Sequence, residues 1–281
     1  MITFECLLNH NQSMETKILF SAILVSFLFT NSFAQKGIVK IQIGYGIPLT
    51  NSLAGQSTQA SSTSTTYTGV YGTYGSGLRL EAGYIRPLSS HLSLEMDVTY
   101  LIGKSINLTY TTPNASQSQA SSSLFYEISP LLRVNLGGNK IKPYAAIGPV
   151  FGIGTVTSNN LSNNPGAINA SEIQRKYSGS LAIGAKSVVG AELTQGRFIF
   201  YAQIAVIAMS YAPAKSEYTK YTLNGTDQLS MLTISQKQSV YKNSVTTTNN
   251  SSPDPNQPTE QLKFYLPFSN ISMNVGVMFK F

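Results

Sequence analysis

The sequence predicts an all-β chain folded as an eight-stranded antiparallel up-and-down transmembrane β-barrel, with short periplasmic turns and long extracellular loops. Three observations predict it. Apolar residues recur with period two in eight segments; the connections between segments alternate strictly between long and short; and charge is scarce without any excess of apolar residues. Of 281 residues only 11% are charged, 42% are hydrophobic, and mean hydropathy is zero. A soluble domain carries about 25% charged residues. A helical membrane protein needs apolar runs of roughly 20 residues, and this sequence has none. A strand with one face in lipid and one in a polar lumen balances to zero hydropathy while excluding charge from half its positions.

The chain opens with an export signal. Residues 14–34 carry Lys17, an apolar stretch over 18–29, and small residues at Ser32 and Ala34. That is the tripartite pattern of a cleaved secretory signal, and its apolar core is too short to span a bilayer. Residues 1–13 precede this second start and read as a non-native or over-extended N-terminus. Cleavage after Ala34 leaves residues 35–281 as one barrel domain, with 18 basic and 10 acidic residues, a net charge of +8 and no cysteine. An exported chain without cysteine has no disulfides to stabilise it.

Each strand is then justified by its own alternation. Residues 37–49 set Val39, Ile41, Ile43, Tyr45 and Ile47 on one face and Lys40, Gln42 and Gly44 on the other. Residues 77–86 oppose Leu78, Leu80, Ala82 and Tyr84 to Arg79 and Glu81. Residues 92–102 oppose Leu94, Met96, Val98 and Tyr100 to Glu95 and Asp97. Around 124–134, Tyr126, Ile128 and Leu132 alternate with Glu127 and Arg133; over 141–154, Ala145, Ile147, Phe151 and Ile153 form the apolar face. Residues 181–193 oppose Ile183 and Val189 to Lys186 and Glu192. Residues 198–208 oppose Phe200 and Ile204 to Tyr201 and Gln203, and 271–281 oppose Met273, Val275 and Val277 to Asn274, Gly276 and Lys280. Pro130 and Pro149 each remove a ladder donor, so a bulge is expected at both.

Short turns are expected at 87–90, 135–140 and 194–197. Long Ser/Thr/Asn/Gln-rich loops are expected at about 50–76, 103–122, 155–177 and 212–268. In the last, Leu229, Leu232, Gln236 and Val240 predict one side of a short helix capped by Asp227. That segment reads either as a lid on the outer mouth or binding surface, or as a solvated loop. Tyr45, Tyr84, Tyr100, Tyr126, Phe198, Phe279 and Phe281 are candidates for interfacial aromatic girdles.

Sorted by expected location, the charges give a balanced lumen: Lys40, Arg79, Arg133, Lys186 and Lys280 against Glu81, Glu95, Asp97, Glu127 and Glu192. Eight strands enclose little more than side chains, so these charges predict an ion-paired, filled core. The sequence suggests a ladder of Arg79, Glu81, Glu95 and Arg133 across the second to fourth strands. The periplasmic rim holds Lys36, Arg86, Lys140, Lys142 and Arg197 and no acid, suited to outer-membrane lipids with anionic headgroups or to a protein partner. The extracellular loops are a second candidate partner surface. Nucleic acid is not expected, because the excess charge is divided between two membrane faces.

No catalytic, metal or cofactor residues are expected. After cleavage His91 is the only histidine, in a predicted periplasmic turn, and no His/Cys/Asp/Glu cluster has ligand spacing.

Two motifs resemble known families. The end of the chain, Asn274-Val-Gly276-Val-Met-Phe279-Lys-Phe281, resembles the C-terminal assembly signal of outer-membrane barrels. The resemblance implies recognition by the barrel-assembly machinery through Asn274, Gly276, Phe279 and Phe281. Glu127-Ile-Ser-Pro130-Leu-Leu132-Arg133, Lys142-Pro143-Tyr144 and Gly148-Pro149 resemble PorT-like outer-membrane β-barrel domains of Bacteroidota-type bacteria. That likeness implies the eight-stranded architecture shared with OmpA, OmpX and OmpW barrels. It implies no single activity. The leading expectation is a non-enzymatic outer-membrane barrel with a side-chain-filled lumen and a structural or surface-interaction role. The alternatives are a small-solute or hydrophobic-substrate channel of the OmpW sort, and an accessory subunit of an export or surface-assembly machine of the PorT sort.

Overall fold

The computed structural model describes residues 37–49, 52–138, 140–163, 170–246 and 254–280. The N-terminal extension (1–13), the signal segment (14–34), Lys36 and Phe281 lie outside the described residues.

Among the described residues, eight strands close a barrel: β1 Ile38–Pro48, β2 Gly77–Pro87, β3 Leu92–Gly103, β4 Ala115–Asn135, β5 Ile141–Asn163, β6 Ala182–Gln195, β7 Phe198–Tyr211 and β8 Asn270–Lys280. Each pairs antiparallel with its neighbours in sequence order. β8 returns to β1 over the full register from Ile38↔Lys280 to Pro48↔Asn270. Closure leaves the barrel without a free edge, so its backbone can be satisfied internally in hydrocarbon.

The outward phase is the apolar one assigned from the sequence. Ile41, Ile43, Leu80, Val98, Ile147, Val189, Phe200, Met273 and Val275 are all exposed, as a lipid-facing belt requires. Aromatic pairs mark its two borders. Tyr100 and Tyr126 lie with ring centroids 5.0 Å apart toward the long-loop end, and Phe198 and Phe279 5.5 Å apart toward the short-turn end.

The β6–β7 turn is the tightest: Gln195 pairs with Phe198, and Gly196 takes φ +63, a conformation open to glycine and costly for most residues. At the β2–β3 turn Ser89 Oγ accepts from the Leu92 N–H (3.1 Å), and exposed His91 shares a hydrogen bond with Ser90.

Three expectations are corrected. The first concerns the prolines. Pro130 and Pro149 produce no bulge: the β4–β5 register is the same on either side, with Ile128↔Phe151 above and Leu132↔Ile147 below. That register sets the two prolines opposite each other, so their missing donors fall in one shared gap instead of in two separate irregularities.

The second concerns the loops. Leu53–Ala60 and Thr65–Tyr71 form a hairpin, and Ile106–Thr112 pairs with the upper part of β4. Ser171–Ser178 pairs with the upper part of β5, and Lys215–Leu223 pairs with Ser171–Ser178. Thr- and Tyr-rich polar sequence is poor core material but suits a pleated, solvated strand. A barrel strand already in register also provides an edge on which such sequence can continue.

The third concerns the expected helix over 227–240. It is two short pieces, a 3-10 turn at Leu229–Met231 and one helical turn at Ile234–Lys237. Asp227 is the cap of neither: it precedes Gln228, the N-cap residue of the 3-10 turn, and accepts from the Leu229 N–H at 2.9 Å. The helical turn is capped by Thr233, which makes a reciprocal box with Gln236.

Candidate functional site

The barrel interior is the most chemically organised region. Inward positions carry nine charged side chains that are almost fully buried: Lys40, Arg79, Glu81, Glu95, Asp97, Glu127, Arg133, Lys186 and Glu192. Lys280, expected among them, is inward in phase but ends β8 at the short-turn mouth. There it is half-exposed and makes no ion pair among the described residues. The buried set is thus four cations against five carboxylates.

Two lysines anchor the set. Lys40 Nζ, from β1, lies 3.0 Å from Glu81 Oε1 and 2.7 Å from Asp97 Oδ1, and contacts Glu95. Lys186 Nζ, from β6, reaches the other oxygens of the same pair, Glu81 Oε2 at 2.8 Å and Asp97 Oδ2 at 2.9 Å. Glu81 and Asp97 therefore bridge two lysines across the lumen, one oxygen to each. Thr99 Oγ1 also donates to Glu81 Oε2 (2.8 Å).

Arg133 extends the network. It contacts Glu192, lies 3.4 Å from Glu95, and donates from Nε to Asn135 (3.0 Å). Its guanidinium carbon sits 3.6 Å from the centre of the Tyr144 ring, a cation–π contact strengthened by burial. Arg79 pairs with Glu127. The ladder suggested along the wall is corrected accordingly. Arg133 does meet Glu95, but Arg79 pairs with Glu127, and Glu81 pairs with lysines from two other strands. The network crosses the lumen because the barrel is narrow enough for nonadjacent strands to touch.

Inward apolar layers lie on either side of these charges, and the alternation did not reveal them. Toward the short turns, Ile85, Leu131, Tyr144, Ile199, Tyr201 and Met278 pack together. Toward the long loops, Leu101, Phe125, Val150, Met209, Tyr211 and Phe268 do the same. Phe268 centres this upper layer, with ring centroids 4.4 Å from Phe125 and 5.9 Å from both Tyr211 and Tyr74. The outer mouth is filled by Phe268 and its neighbours. The two short helical pieces of the 227–241 segment, expected as a lid or binding surface or as a solvated loop, pack beside Lys215–Leu223, Gln238–Lys242 and Thr259–Leu262.

Of the expected assembly residues, Asn274 is buried in the lumen and donates to Ser272 Oγ (3.2 Å). At Gly276 a Cβ would meet the Ile41 carbonyl oxygen at 2.4 Å, and Phe279 faces outward against Phe198. Arg86, Lys140, Lys142 and Arg197 lie at the short-turn end. At the opposite end, Lys220 donates to Glu172 (2.6 Å), and this bond holds the Glu172 carboxyl below the usual carboxylate range.

An apolar outer belt, a polar cross-linked interior, and short turns at one end with long connections at the other define a transmembrane β-barrel of the outer-membrane class. No family model matches the sequence, and no curated protein matches it. Among solved structures, the chain is similar to Neisserial surface protein A (NspA), with TM-score 0.34 and 10% identity over 87% of this chain and 97% of that one. It is similar to Ail, the attachment invasion locus protein of Yersinia pestis, with TM-score 0.33 and 7% identity over 88% and 99%. The outer membrane protease OmpT from Escherichia coli gives TM-score 0.27 and 8% identity over 90% and 99%. The barrel assignment rests on the strand pairings and burial described above.

Proposed function

We propose that this chain is a non-enzymatic outer-membrane barrel whose lumen is closed by its own side chains, and whose role is structural or surface-interacting through its extracellular sheet. The observation that carries this reading is the Lys40–Glu81/Asp97–Lys186 bridge across the lumen, with an apolar layer on either side. A water-filled pore would have to break buried ion pairs, and breaking one by removing a partner costs about 3–5 kcal/mol. A channel for hydrophobic substrates would need a continuous apolar path, and the charged layer interrupts it.

A second reading is favoured by the short-turn end, where Arg86, Lys140, Lys142 and Arg197 make no ion pair among the described residues, although Glu192 lies opposite Lys142 in register. In the PorT-like reading these cations would dock a periplasmic partner of an export or surface-assembly machine. Anionic lipid headgroups would satisfy the same charges. Recognition of the chain's end by the barrel-assembly machinery belongs to this proposal as well.

The test is planar-bilayer recording on purified, refolded protein. The expected result is insertion, judged by a heat-dependent gel shift, without stable conductance. Steady large conductance in the wild-type protein would overturn the closed-lumen reading.

A further inference from the structure

Among the described residues the barrel has no free edge, but the extracellular sheet built on it has two long ones, and they differ in chemistry. One is Thr259–Leu262, which pairs only with Gln238–Lys242. It is guarded by charge: Glu260 pairs with Lys242, and Lys263 follows directly. The other is Thr65–Tyr71, which pairs only with Leu53–Ala60. Exposed edges are ordinarily blunted by charge, proline or a bulge, because unpaired N–H and C=O groups recruit another strand. The edge strand itself has none of these, and residues 50–76 contain no Asp, Glu, Lys, Arg or Pro. The only irregularity of the hairpin is on the opposite strand, between Leu53 and Gly55.

The hairpin closes with the Ser61 N–H donating to the Ser64 carbonyl at 2.7 Å. Hydrogen-bonded pairs alternate along an antiparallel ladder, so Thr65, Tyr67 and Gly69 turn their backbone groups to the open side. Tyr67 and Tyr71 are among the most exposed large side chains, at 65% and 60%.

We propose that Thr65–Tyr71 is a docking edge for the same strand of a second copy of this chain, paired antiparallel about Thr68. That register sets Tyr67 against Gly69, Thr66 against Val70, Thr65 against Tyr71 and Thr68 against itself. Each outward backbone group then meets another outward group. An aromatic covers the glycine, β-branched residues meet each other, and no like charges meet.

The fold also sets where the second copy stands. Leu53–Ala60 runs parallel to Ile106–Thr112, the strand that leaves the barrel after β3. Thr65–Tyr71 therefore points back toward the membrane. Two copies in one membrane would present this strand in the same direction. An antiparallel pair needs an inverted copy, so the contact joins two facing membranes. This inference rests on the reading of the long connections as extracellular.

The test uses the full chain reconstituted separately into two vesicle populations with different dyes, with heat-dependent gel migration confirming a folded barrel in each. Wild-type vesicles should cluster with one another. Thr68→Lys on both sides, or Thr68→Glu on both sides, should reduce clustering about tenfold, because many weak pairings act in parallel. Mixing Thr68→Lys with Thr68→Glu vesicles should restore it. Folded wild-type protein that fails to cluster vesicles overturns the proposal. So does clustering indifferent to either single substitution, and so does a mixture that fails to recover, which would assign the edge to another occupant. Absence of the gel shift would instead sink the barrel reading itself, so the two failures are distinguishable.

Discussion

Replacing Lys40 by Met keeps most of the side-chain volume and removes one charge from the centre of the lumen. The structure sets the size of the effect. Lys40 is fully buried and faces Glu81, Glu95 and Asp97. After the substitution Glu81 and Asp97 still share Lys186, but Glu95 keeps only Arg133, at 3.4 Å and already engaged by Glu192. The buried set then changes from four cations against five carboxylates to three against five, which leaves Glu95 without its lysine. Breaking a buried pair by removing one partner costs about 3–5 kcal/mol. The expected destabilisation is therefore about 3–5 kcal/mol at pH 7. The sequence has no tryptophan and 16 tyrosines, so reversible urea unfolding in detergent should be followed by tyrosine fluorescence and circular dichroism. The double variant Lys40→Met/Glu95→Gln removes the orphaned charge and should recover about half of the loss. A Lys40→Met deficit below about 1 kcal/mol, or strict additivity in the double variant, would refute a tightly coupled lumen.

Gly276→Ala should destabilise by about 1–3 kcal/mol in unassisted refolding. Its Cβ would meet the Ile41 carbonyl oxygen at 2.4 Å; full stability in vitro with failed assembly only in cells would make the glycine a recognition element instead. Phe268→Ala should cost about 3–5 kcal/mol by emptying the centre of the upper layer, read from the same unfolding transition. Replacing residues 213–263 by a short Gly/Ser turn should leave the heat-dependent gel shift intact, since the ion network lies wholly on barrel strands; loss of the shift would show that the extracellular sheet helps form the barrel. The pairing of Ser171–Ser178 with Lys215–Leu223 should loosen in acid. Glu172 is more acidic when bonded to Lys220, so its contribution is present above the ordinary carboxylate range and is lost as pH falls through its lowered value. Hydrogen exchange over 171–178 at neutral and acidic pH reads this directly.

The direction each barrel strand faces was legible because lipid enforces a one-sided rule. Charge is excluded from outward positions, so the phase carrying Ile41, Leu80, Val98 and Val275 could be assigned strand by strand. The inward phase obeys no such rule. Leu101 and Phe125 share it with Asp97 and Glu127, and what groups Leu101 with Phe125 is packing across the closed barrel. The prolines illustrate the same limit. Each is a ladder defect when read alone, and only the β4–β5 register reveals that they share one gap. The extracellular strands have no apolar alternation to mark them, although Thr65, Thr66, Tyr67 and Thr68 are strong strand formers. The Thr233-x-x-Gln236 spacing of the capping box is itself a sequence signal, and it marks the helical turn better than Asp227 does.

The ion network was half legible for a geometric reason. Period-two reading names which charges point inward, and neighbouring strands suggest which pairs lie side by side. It cannot say how far the opposite wall is. That distance is set partly by residues without charge. At Gly83 a Cβ would lie 2.5 Å from Asp97 Oδ1 and 2.6 Å from Lys40 Cε, and at Gly44 a Cβ would lie 1.8 Å from Asn274 Oδ1. These glycines leave the room in which the Lys40 stem and the Asn274 amide lie, so a β1 lysine can reach β2 and β3 carboxylates that a β6 lysine holds from the other side. The glycines are thus as much a part of the site as the charges. A lumen built from the same nine charged residues, with alanine at Gly83, would be forced to shift Lys40 or Asp97 and to loosen the bridge that closes it.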